Sequence, residues 1–112
     1  MLVAVASQFH GYPGCDDTEH NKQKAQWIRE RYWDINQPVI ILVEASDHLE
    51  SYSPADNEQA IEWCKEMISH VDEVHFWYPE KYGLSPGMKG EWKLAKELGK
   101  RCRKRPQARG SW

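Results

Sequence analysis

With 112 residues, the chain has room for one domain and one modest core. Its 17 acidic and 15 basic side chains give a formal charge of −2, so no overall positive field draws it onto nucleic acid. No apolar run approaches the roughly 18 residues of a membrane-spanning helix.

The chain opens with Leu2–Ala6, a short apolar run that reads as a buried strand. "MLVAVAS" lacks a basic flank and a cleavage pattern, so no signal peptide is expected. The Gly/Pro-rich loop "SQFHGYPGCDD" follows. "HNKQKAQWIRERYWDIN" then spaces Ala25, Ile28, Tyr32 and Ile35 three or four apart, the pattern of an amphipathic helix. After Pro38, Val39–Val43 predicts a second buried strand. "ASDHLESYSPAD" is a polar loop, long enough to suggest a lid or a binding loop. A second helix takes Asp56 as its N-cap and buries Ala60, Cys64, Met67 and Val71. Val74–Trp77, rich in aromatic and β-branched residues, is the third strand. "PEKYGLSP" leads into a third helix with Met88, Trp92, Ala95 and Leu98 on one face and Gly99 as its terminating residue. A last strand is expected at Arg101–Arg103.

Alternating strands and helices imply an α/β fold, a Rossmann-type parallel sheet of four to five strands with helices on both faces. Ligands of such sheets bind beyond the carboxyl ends of the strands, where the strand order reverses. Gln8–Glu19, Glu44–Pro54 and Pro79–Gly87 are the loops at that end. Residues 1–103 form the domain and 104–112 a solvated tail. No acid lies beyond Glu97, whereas Lys100, Arg101, Arg103, Lys104, Arg105 and Arg109 are basic. The acidic body argues against nucleic acid as a partner.

Cys15, Cys64 and Cys102 are odd in number and widely spaced, as suits reduced thiols in a cytoplasm rather than a disulfide framework. The five histidines show no metal-ligand spacing, so neither a metal nor a cofactor is expected. His10 follows the first strand and faces the candidate site, whereas His75 alternates with Val74 and Phe76 as a sheet residue. Six tryptophans are many for this length; they fill a core or a subunit interface, and because Trp27, Trp33 and Trp63 do not all fit one small core, a homodimer or larger assembly is expected.

"LSPGMKGEWKLAKELGK" poses the chemical question. Each interior helical glycine costs roughly 1 kcal/mol against alanine, so Gly87 and Gly90 ask for a reason. Ser85 is a good N-cap and Pro86 suits the first helical position. The free N–H groups there, including that of Met88, suit a phosphate or carboxylate. Glu91, one and a half turns in, can turn its carboxylate to the same place.

This segment resembles that of the nucleoside 2-deoxyribosyltransferase-like proteins, in which a serine, a glycine and a glutamate six residues after the serine precede a glycine-terminated helix. It is most similar to small, often phage-encoded members with an "SxGMxxE" version. Asp72 in "HVDEVHFW" resembles the aspartate opening their third strand, "SQFHGYPG" resembles their "SPYxG" turn, and Asn21 and Ala25 fit the start of their first helix. The resemblance implies a flavodoxin-like three-layer sandwich and a site for a nucleoside or nucleotide, shared between subunits. It makes Glu91 the nucleophile on the anomeric carbon and Ser85 a ligand of the 5′ group, with Phe9, His10, Gly11, Gly87 and Met88 around them. Phe9 stands where the family has a tyrosine. Cys64 stands eight residues before Asp72, where hydrolysing members carry an acidic proton donor. Asp47 or His48 on the long loop is the remaining source of an acid.

Three functions follow as expectations. The first is an enzyme hydrolysing or transferring an N-glycosidic bond. The second is a non-catalytic phage-type sponge that sequesters a nucleotide-derived host immune signal such as an ADP-ribose derivative, acting in the host cytoplasm. The third is an interaction module whose glycines only permit close packing.

Overall fold

The computed structural model describes residues 1–7, 18–42 and 54–108. In chain order these form β1 (Val3–Ser7), α1 (Thr18–Asp34), β2 (Val39–Ile41), α2 (Pro54–Ser69), β3 (Glu73–Pro79), α3 (Pro86–Glu97) and β4 (Arg101–Gln107). The four strands make one sheet in the order β2-β1-β3-β4, and every pairing is parallel. β1 thus lies between β2 and β3, and the order reverses at the β1/β3 junction. This is the α/β architecture of a flavodoxin-like three-layer sandwich.

Alternation along β1 divides the core in two. Val3 and Val5 pack with Ala25, Ile28 and Tyr32 of α1 on one face. Ala4 and Ala6 pack on the other with Ile68 of α2 and Met88 and Ala95 of α3, around Val74 and Phe76. Small alanines in the central strand let α2 and α3 close over the sheet. Phe76 fills the layer between and meets Trp92 edge-on, with ring centroids 5.1 Å apart.

The amino edge of the sheet is tied by short polar links. Asp72 accepts the Leu2 N–H on Oδ2 at 2.8 Å and donates its own N–H to the Leu2 carbonyl at 2.9 Å. The Gln37 amide donates to the carbonyls of Met1 and Pro38.

Several boundaries differ from the sequence reading, beginning with the second strand, which spans Val39–Ile41 within the expected Val39–Val43. α1 ends at Asp34, because Asn36 adopts a left-handed φ of 56° and Gln37 N–H bonds back to the Tyr32 carbonyl. Ile35 is therefore past the helix and 71% exposed instead of on its buried face. α2 begins at Pro54, so the expected N-cap position, Asp56, lies inside its first turn. β4 continues past Arg103 to Gln107, paired along β3 as far as Pro79, so residues 104–107 belong to the sheet rather than a tail. Tryptophans divide as well: Trp27, Trp77 and Trp92 pack against the core, whereas Trp33 is 82% exposed.

The α1 face carries a polar chain in which each group has a partner. Trp77 Nε1 donates to the Tyr32 hydroxyl at 2.9 Å, and that hydroxyl lies 2.6 Å from His75 Nδ1. His75 Nε2 is 3.1 Å from Glu73 Oε1, to which Arg103 Nε also donates at 2.8 Å. The Arg103 bond, and then the His75 bond, hold the Glu73 carboxyl below its ordinary value, so it is an acceptor only. The His75 proton therefore belongs on Nε2, and Nδ1 accepts from Tyr32. Burial lowers the His75 pKa and keeps the ring neutral, although Glu73 pulls the other way.

Candidate functional site

α3 starts as the sequence grammar predicts. Ser85 is buried, sits in an extended conformation at φ −66° and ψ 164°, and precedes Pro86. Its Oγ accepts the Met88 N–H at 3.3 Å, and its carbonyl accepts the Lys89 N–H at 2.8 Å. The Met88 N–H is thus already used by the cap, and the Met88 side chain is in the core. Gly87 remains as the first-turn position whose N–H has no intrahelical acceptor. Ser85 keeps its hydroxyl proton as a donor.

Gly87 and Gly90 are both exposed, and a Cβ added to either meets nothing within 4 Å. Neither has the left-handed φ that requires glycine, in contrast with Gly83 and Gly99, both at φ 72°. At Gly99 the reason is local: the Lys100 N–H reaches the Ala95 carbonyl and the Gly99 N–H the Lys96 carbonyl, which closes α3. No conformational or packing demand among the described residues accounts for Gly87 and Gly90.

Glu91 shares a helical face with Gly87, four residues earlier. The residue as a whole is partly exposed, but its Oε2 is buried and has no hydrogen-bond partner. Burial pushes its pKa up to about 8, so at neutral pH the group is mainly the uncharged acid. Cys64 of α2 lies beside it. Burial, reinforced by Glu91, pushes the thiol up to about 12, and the sulfur is neither a nucleophile nor a useful acid at neutral pH. The second buried side-chain atom without a partner is Ser7 Oγ, on the last residue of β1. Ser7 enters the sequence reading only as the first residue of the "SQFHGYPG" turn, with no role of its own, and the pairing of Cys64 with Glu91 is not foreseen there. A serine closing the apolar run "VAVA" was the available signal for the first, and the inward phase of Cys64 for the second.

Ser85, Gly87, Met88 and Glu91 are brought together at the α3 start, at the carboxyl end of β3. Phe9, His10, Gly11, Asp47 and His48 lie outside the described residues. Asp72 sits at the opposite edge, tying β1 to β3, and His75 belongs to the polar chain under α1. Among the described residues no group of three or more His, Cys, Asp or Glu could hold a metal ion, and no helix is long and apolar enough to cross a membrane.

No protein-family model and no curated protein matches this chain.

Proposed function

We propose that the protein binds a nucleoside- or nucleotide-derived ligand across the carboxyl edge of its sheet, with the ligand's anionic group at the Gly87 N–H. One observation carries this reading: a buried carboxyl oxygen with no partner lies on the same helical face as a glycine whose flank is open. An unpartnered buried polar atom costs on the order of 1–3 kcal/mol, a cost that a ligand hydrogen bond removes. The switch-point position is where sheets of this order bind ligands, and the resemblance of Ser85–Glu91 to the deoxyribosyltransferase-like motif supplies the chemical class.

Binding without turnover is the better supported form, as in a sponge that sequesters an ADP-ribose-like molecule. A nucleophile must be ionised, whereas burial keeps Glu91 mainly protonated at neutral pH. Its neighbour Cys64, at the position of the family's proton donor, is a thiol held far from ionisation. The enzyme form keeps the motif in its favour, with Glu91 attacking the anomeric carbon once a ligand ionises it. Purified protein mixed with nucleoside monophosphates and ADP-ribose, followed by chromatography of free base, separates the two. Ligand retained with no base released is the expected result. Base release that Glu91→Gln abolishes establishes the enzyme instead. Gly87→Val should weaken binding by about 100-fold or more while the fold persists, since its branched side chain fills the open flank. If wild type binds none of these molecules, the nucleotide reading fails.

The exposed Trp33 and Ile35 at the end of α1 fit self-association. Sedimentation showing a monomer at high micromolar concentration removes that part of the reading.

A further inference from the structure

We infer that Ser7 is a ligand-contacting residue of this site, its hydroxyl hydrogen-bonded to a sugar hydroxyl of the bound molecule. The inference rests on the nucleotide reading above and gives a role to Ser7, which enters the family resemblance only as the first residue of the "SQFHGYPG" turn.

Ser7 ends β1, the strand at which the sheet order reverses, and its Cα partner is Trp77 near the end of β3. The residue is 6% exposed, and Oγ has no hydrogen-bond partner. Alanine would serve a purely apolar strand end at least as well, as it does at Ala4 and Ala6. A hydroxyl buried with nothing to bond is a net cost to the free protein, and such a group calls for an explanation.

Position supplies the explanation. Among the described residues, the two buried side-chain atoms without a partner are Ser7 Oγ, at the carboxyl end of β1, and Glu91 Oε2, on the helix that starts at the carboxyl edge of the sheet. Polar side chains at the amino edge are bonded: Asp72 to Leu2, Gln37 to Met1 and Pro38, and Lys100 to the Ser69 carbonyl at 3.2 Å. Unmet hydrogen-bonding capacity is therefore concentrated at the end where this topology binds ligands.

The partner's chemistry follows from the two atoms. Ser7 keeps the parity of Val3 and Val5, which face α1, whereas Glu91 is on α3 across the sheet. A molecule lying over the edge meets Ser7 from one side and Glu91 from the other. Both offer a donor and an acceptor, and neither carries a full charge near neutral pH. A hydroxyl, which also donates and accepts, matches them better than a phosphate, whose place is the helix start. A sugar between a base and a 5′ phosphate presents such hydroxyls.

The test pairs thermal melting with calorimetric titration of wild type and Ser7→Ala. The titrants are the four ribonucleoside 5′-monophosphates, their 2′-deoxy counterparts and ADP-ribose. The ligand-free Tm should stay within about 1 °C, because no intramolecular bond is lost, while Kd for the best-bound molecule rises about tenfold or more. An unchanged Kd overturns the role of Ser7 and leaves the nucleotide reading standing. A ligand-free Tm lowered by several degrees also overturns it, since the hydroxyl then holds the fold. If wild type binds none of these molecules, the inference falls together with the reading beneath it. Should Ser7→Ala not fold, Ser7→Cys keeps the unbranched shape, slightly enlarged, with a much weaker donor and should show a smaller rise in Kd at an unaltered Tm.

Discussion

Two regions of the molecule, the polar chain beneath the body of α1 and the carboxyl edge of the sheet, treat buried polar groups in opposite ways. Under α1, Trp77, Tyr32, His75, Glu73 and Arg103 form a chain in which each donor finds an acceptor. At the carboxyl edge, Glu91 Oε2 and Ser7 Oγ have none. The first region is complete within the chain, and its groups position α1 and stay as they are. Capacity remains open in the second, so the same inventory of polar side chains supports architecture in one place and binding in the other. The most polar buried cluster of a small protein is thus not automatically its site.

The largest expected effect breaks or sustains the claim that Glu91 is buried at a cost. Its folded pKa of about 8 lies above its ordinary value of 4.5, so the folded state holds a proton that the unfolded chain releases. Its favourable contribution is complete below pH 4.5 and is lost as pH rises through 8. By linkage, the loss tends toward roughly 5 kcal/mol, an order-of-magnitude figure. Glu91→Gln, which resembles the protonated acid, should flatten this dependence and make the variant more stable than wild type at pH 9. Chemical denaturation at pH 5, 7 and 9 reads it directly. Parallel pH dependence in the two proteins means that the carboxyl is solvated, and the contrast between the regions disappears.

Next in size is the closed region. Tyr32→Phe keeps the ring that packs on Val3 and Val5 but removes the oxygen joining Trp77 to His75. The buried His75 and the half-buried Trp77 then each lose a partner, and the expected cost is about 2–4 kcal/mol. Ligand affinity should be unchanged. Little loss of stability in the same denaturation assay would show that water readily replaces the hydroxyl, and the α1 face would be no more complete than the edge.

Much of this architecture was legible in the sequence, because period-2 and period-3.6 patterns persist wherever a face is buried. Ala25, Ile28 and Tyr32 announced α1, and Val74 and Phe76 announced β3. β4 was shortened because its basic residues and Pro106 have weak strand preference, and an edge strand pairs on one side only. Ile35 misled because it continues the helical spacing up to an asparagine stop, a weaker signal than glycine. At the site, Ser85 and Pro86 were readable as cap chemistry. The neutral state of Glu91 was not, since it depends on how α2 and α3 pack, and neither were the unpartnered atoms, because hydrogen bonding between distant residues leaves no mark on spacing.

The smallest effect tests whether the glycines of α3 divide in the same way as the polar groups. Gly99 occupies a left-handed conformation and closes the helix, whereas Gly90 sits in an ordinary helical turn with open space beside it. Gly99→Ala should therefore destabilise the protein by about 1 kcal/mol, and Gly90→Ala should stabilise it by up to about 1 kcal/mol, through the unfolded chain and helix propensity. In thermal melts the two shifts should be opposite in sign and several degrees in size, roughly 4–6 °C for a domain of this length. A lowered Tm for Gly90→Ala would mean that glycine is required there by the fold, and that position would join Gly99. A raised Tm shows that the chain retains glycine against its own stability. Gly90 lies one turn from Gly87, and what then remains to favour glycine is access to the helix start from outside.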